Sequence, residues 1–111
     1  MAIPSGFGTE VLKRTLVETN NGAWTNVITG VADHIYTVLN IVAANQSGSD
    51  TETIYIKLGA VYLLTMELGP TETFIWNDRI VVSGAENLLI YNSAGDVDWL
   101  CNYIDQDWDS S

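Results

Sequence analysis

From His34 to Ile104 the chain is a series of short apolar runs, each closed by Gly, Asn, Asp or Ser about every ten residues. Thr51 to Leu58 shows the period most plainly. Ile54, Ile56 and Leu58 share one parity while Thr53, Tyr55 and Lys57 share the other, which predicts a strand whose even-numbered face is core. In His34 to Asn45 the apolar residues Ile35, Val38, Leu39, Ile41 and Val42 are too continuous for a strand wet on one face, so this run is expected to lie centrally in a sheet.

The remaining punctuation completes an all-β pattern. Val11 to Thr19 reads as a strand ended by Asn20-Asn21-Gly22, and Trp24 to Thr29 as a second ended by Gly30. Gly59-Ala60 separates Thr51–Leu58 from Val61–Leu68 in the manner of a tight hairpin. Thr71 to Trp76, Arg79 to Ser83, Asn87 to Tyr91 and Val97 to Ile104 follow, giving eight or nine short strands and no long helix. The expectation is a small antiparallel β-sandwich, jelly-roll-like. An extended N-terminal arm is expected at 1–14, the sandwich at 15–104 and an acidic tail at 105–111.

Length and charge narrow the function. A chain of 111 residues fits one domain with a single core. Fourteen acids against four bases give a net charge of -10, a sign that repels phosphate backbones and anionic lipid. Nucleic acid and membrane are therefore not expected partners. The N-terminus has no signal-peptide pattern and no apolar run approaches the ~18 residues of a membrane span, so the chain is expected in a cytosol until it joins something.

Candidate chemistry is sparse. His34 is the one possible general base, and its place at a strand start reads more simply as a surface or hydrogen-bonded structural residue. Cys101, the sole cysteine, sits in an apolar alternating run and reads as a buried thiol. Asp105-x-Asp107-x-Asp109 resembles the opening of a calcium loop but lacks its turn glycine and closing glutamate, so no metal or other cofactor is expected. The aromatics Trp24, Tyr36, Tyr55, Tyr62, Trp76, Tyr91, Trp99, Tyr103 and Trp108 are expected mostly as core or cross-strand partners, with a sugar-stacking platform as the rival. No enzyme is expected.

Several segments together resemble the small structural proteins of tailed bacteriophages, notably marine ones. They are the opening from Ile3 to Arg14, the segment from Ile28 to Val38 with its Ile-Tyr-Thr-Val run, the loop from Ala44 to Asp50, Tyr62-Leu63-Leu64, and the close from Val97 to Trp108. Gly84-Ala85-Glu86 departs from the Gly-Asp common before the late strand in such sandwiches. The resemblance implies a virion component without an active site. The expected function is a capsid decoration or cement protein bound to the major capsid protein shell, located at the capsid surface, with a trimer implied by the usual arrangement of such shells. The alternative is a tail, fibre or baseplate subunit with a receptor- or carbohydrate-binding role. The expected partner contacts are Ile3, Phe7, Val11, Leu12, Lys13, Arg14 and Trp108.

Overall fold

A computed structural model describes residues 9–20 and 22–107. They form nine strands: β1 (Thr9–Asn20), β2 (Thr25–Thr29), β3 (His34–Asn45), β4 (Glu52–Leu58), β5 (Val61–Leu68), β6 (Thr73–Trp76), β7 (Ile80–Ser83), β8 (Asn87–Asn92) and β9 (Val97–Asp107). All pairings are antiparallel. Sheet A has the order β1-β9-β3, with β6 and β7 pairing with successive halves of β3 to form its far edge. Sheet B has the order β2-β8-β4-β5.

The core fills the space between the sheets. Val38, Ile41, Ala43, Val82, Val97, Trp99 and Cys101 come from sheet A and meet Val27, Ile28, Ile54, Ile56, Leu68, Leu88 and Ile90 from sheet B. Strict alternation would not bury both Val27 and Ile28. A register shift between Asn26 and Ile28 lets two successive residues turn inward. A second shift, between Val38 and Asn40, moves the buried parity of β3 from even to odd, so Val38 and Ile41 both face the core. That change of phase is why the apolar pattern of β3 looked continuous in sequence.

Two backbone positions fix the connections. Gly59 turns the β4–β5 hairpin at a φ of 58°, a conformation L side chains rarely adopt. Gly30, after β2, lies so close to the backbone of Gly84 and Glu86 that a Cβ would overlap Glu86's carbonyl oxygen, and its N–H donates to Asn87 Oδ1 at 3.0 Å.

The strand boundaries differ from expectation at the two ends. Residues 9–14, placed in the arm although Val11–Thr19 also reads as a strand, belong to β1 and pair with β9 from Thr9↔Asp107 to Arg14↔Asn102. Asp105, Gln106 and Asp107, expected in the tail, continue β9. Each strand end is extended by the other's main-chain hydrogen bonds, a long-range pairing that composition at either terminus does not reveal.

Candidate assembly surface

Register places the outer face of sheet A residue by residue. Leu16 of β1 stands opposite Leu100 of β9, which stands opposite Val42 of β3 and then Ile75 of β6. A second row runs Leu12, Ile104, Thr37 and Val81. Between them lies the polar row Arg14, Asn102 and Asn40, in which Asn102 Nδ2 donates to Asn40 Oδ1 at 2.8 Å. The edges of both rows are open: Leu12 is 71% exposed, Leu16 61%, Ile75 53% and Val81 57%. Alternation explains this pattern, because each of these strands sends one parity to the core and the other, still apolar here, to the surface.

Of the expected contact residues, Ile3, Phe7 and Trp108 lie outside the described residues. Val11, Leu12, Lys13 and Arg14 all lie on β1 but do not share a face. Leu12 and Arg14 belong to the outer face, whereas Val11 and Lys13 share the inner parity of Asp105 and Tyr103. Lys13 Nζ donates to Asp105 Oδ2 at 2.9 Å. Leu16, Ile75 and Val81 were not anticipated. Leu12 and Leu16 at matching parity were a usable sign, but the β6 and β7 residues join them only through pairing with β3.

The outer face of sheet B is different. Trp24, Tyr55, Tyr62 and Tyr91 form one cluster, with ring centroids 5.0 Å apart for Trp24–Tyr91 and 5.5 Å for Tyr55–Tyr91. Lys57 Nζ stands 4.1 Å above the Trp24 ring. Tyr55 and Tyr91 are direct cross-strand partners, as expected of such residues. Trp24 and Tyr62 keep 37% and 57% of their surface exposed.

The polar inner cluster is structural in form. Asp105 accepts from His34 Nδ1 at 2.7 Å as well as from Lys13, and the His34 ring stacks on Tyr36 with centroids 5.7 Å apart. Val31 N–H donates to Tyr36's hydroxyl at 3.1 Å. Burial, then the neighbouring Asp105, raises the Tyr36 hydroxyl above its usual 10.0. Cys101 does not join His34 as a catalytic pair: it lies four residues from Asp105 along β9, about 13 Å at the usual strand rise. Burial also pushes its thiol up to about 12, away from thiolate chemistry. Among the described residues no group of three His, Cys, Asp or Glu could hold a metal ion, and no pocket opens in the surface.

No protein family model matches the chain, and no curated protein sequence is similar to it. Solved structures with a TM-score above 0.5 share its fold. A subunit of the Bacillus endospore appendages, described as a novel family of disulfide-linked pili, superposes with a TM-score of 0.53 at 15% identity, covering 95% of this chain and 94% of the other. A protein of the acid-stable capsid of the Helicobacter pylori bacteriophage KHP30 gives 0.51 at 10% identity, covering 89% and 92%. The xylohexaose-bound modules of a Clostridium thermocellum endo-1,4-β-D-xylanase give 0.36 at 14% identity, with this chain spanning 26% of that one. The chain is thus a small all-β sandwich of a kind also found in pilus and phage capsid subunits.

Proposed function

We propose that this chain is a non-catalytic structural subunit of a virion or extracellular assembly, of the fibre, tail or baseplate kind, joined to its neighbours through the outer face of sheet A. The two apolar rows carry the reading. Large apolar side chains grouped on one open sheet face mark interaction sites, and here Leu12, Leu16, Ile75 and Val81, in two rows either side of Arg14, Asn102 and Asn40, leave more than half of their surface open. A net charge of -10 keeps copies apart elsewhere, which directs association to this weakly charged face.

We read the strand order as a jelly roll. Successive strands β1 to β5 alternate or hairpin between β1-β9-β3-β6 and β2-β8-β4-β5, the arrangement of two Greek keys. The fold likeness to a pilus subunit supports a fibre-type role, and its likeness to a phage capsid protein supports a place in a virion. On sheet B the aromatic cluster then faces outward, away from the joined face, where Trp24 and Tyr62 offer stacking surface to a host glycan or receptor.

Capsid decoration is the second reading, favoured by the phage capsid likeness together with the sequence resemblance. In it, the same face of sheet A and the segment 1–14 bind a major capsid protein shell, as a trimer at the capsid surface.

Sedimentation and negative-stain microscopy of the purified chain at rising concentration test the assembly reading. Wild type is expected to form discrete multimers, while the Leu16→Lys, Ile75→Lys double variant stays single-copy with an unchanged circular dichroism spectrum. A wild type that remains single-copy throughout, or a double variant that assembles equally well, overturns it.

A further inference from the structure

We propose that two copies of this chain pair antiparallel through β1 across a two-fold axis, in the register that sets Glu10 opposite Arg14 of the second copy. The proposal rests on the assembly reading and names its first contact.

β1 is the longest sheet edge, with 12 residues against 5 for β2, 8 for β5 and 4 each for β6 and β7. Its ladder with β9 runs without a shift from residue 9 to residue 17, whereas the pairings of β2 and β5 are both interrupted. A long regular edge presents alternate N–H and C=O groups to any strand that arrives, unless proline, a bulge or an inward charge guards it. β1 has no proline, its one shift lies beyond Val17, and its inward charge, Lys13, is tied to Asp105 of its own chain.

Charge favours one register: centres on Val11 or Thr15 oppose no two charged residues and so gain nothing from charge. A two-fold axis normal to the sheet keeps the outer face outward, so residues of equal parity meet. Centring it on Leu12 sets Glu10 opposite Arg14 twice, Leu12 opposite its own copy, and Val11 opposite Lys13. Centring it on Lys13 or on Arg14 instead opposes two like charges, and the Arg14 centre also sets Glu10 against Glu18. Centring it on Leu16 would pair Arg14 with Glu18, but there the strand reaches the shift between Val17 and Asn20 and the regular edge ends. Opposite charges across an antiparallel pair stabilise it and like charges directly opposed destabilise it.

Two further features agree. Among the described residues Arg14 has no ion-pair partner. The charged side chains of β1, Glu10, Lys13, Arg14 and Glu18, sum to zero and include two of the chain's four basic residues. Two copies that repel over most of their surface therefore repel least along this strand. Pairing there also joins the two outer faces into one, extending the Leu12 row across the axis. A two-fold pair takes the place of the trimer that the sequence resemblance implies.

Charge exchange in the full-length chain tests the register, read as the dissociation constant by sedimentation equilibrium. Wild type is expected to associate as two copies. Arg14→Glu and Glu10→Arg are each expected to weaken association about tenfold or more, and the two together to restore it. Both side chains are exposed, so near-ultraviolet circular dichroism should be unchanged in all three variants. The pairing is overturned if the combined variant stays as weak as the single ones. It is equally overturned if Glu18→Arg rescues Arg14→Glu in place of Glu10→Arg. Loss of association on deleting residues 1–8, with the exchanges inert, would assign the edge to the N-terminal segment. If Leu16→Lys with Ile75→Lys dissociates the protein while the exchanges do nothing, this pairing falls and the assembly reading stands.

Discussion

His34 Nδ1 lies 2.7 Å from Asp105 Oδ1, tying the first residue of β3 to the far end of β9 on the inner face of sheet A. A carboxylate only accepts, so Nδ1 carries the hydrogen. Lys13 of β1 reaches the other oxygen of the same carboxylate at 2.9 Å, and one buried acid thereby links the three adjacent strands where the ladder ends.

Acid should loosen this end of the sandwich. Burial raises Asp105, but the hydrogen bonds from Lys13 and His34 outweigh it and hold the carboxyl below its usual 3.8. Since the folded value is the lower one, the contribution is present above about pH 4 and is lost as the pH falls through the depressed value. Asp105→Asn is expected to lower stability by about 1–3 kcal/mol at pH 7 and by progressively less as the pH is taken down through the depressed value, read from urea midpoints. A loss that stays the same across the whole acid series would refute the assignment. Lys13, held above 10.5 chiefly by its hydrogen bond to Asp105, adds stability that is full below that value and disappears as the pH rises past the folded one.

Asn45 should be among the most sensitive polar positions. Its buried side chain donates to the carbonyls of Asp50, Leu68 and Gly69 and accepts from Ser47 N–H, fastening two loops to the end of β3. Asn45→Ala strands these groups and is expected to cost about 2–4 kcal/mol, with a matching fall in Tm. A change below about 0.5 kcal/mol, the scatter of ordinary surface substitutions, would show the loops are held otherwise.

Cys101 should resist thiol reagents until the protein unfolds. It is fully buried on β9 with its thiol pushed up to about 12. Labelling by an aromatic disulfide is expected to be absent in buffer and complete in denaturant. Rapid labelling of the native protein would mean that β9 opens locally.

Trp24 is the reporter for the aromatic patch. Removing Lys57 from above its ring, as Lys57→Met, should alter its fluorescence with little change in Tm, because exposed cation–π contacts contribute only about 0.5–1 kcal/mol. Oligosaccharide titration should quench the same signal and Trp24→Ala should abolish binding. A flat titration across neutral and acidic glycans would remove the sugar-binding role from this surface.

Local pattern determined much of this molecule. The even-numbered core of β4, the hairpin at Gly59, the central place of β3 and the burial of Trp99 and Cys101 follow from period, turn chemistry and side-chain size, all of which act within a few residues. Tertiary structure decided what lies opposite what. Leu12 and Leu16 become part of a broad apolar face only because β9, β3, β6 and β7 bring Leu100, Ile104, Val42, Ile75 and Val81 into register beside them. Asp105 looked like the start of a solvated tail until β1 and β3 supplied Lys13 and His34. Antiparallel sheets join residues nearly a hundred positions apart, and the energy of those contacts depends on pairing partners that no local window of sequence contains.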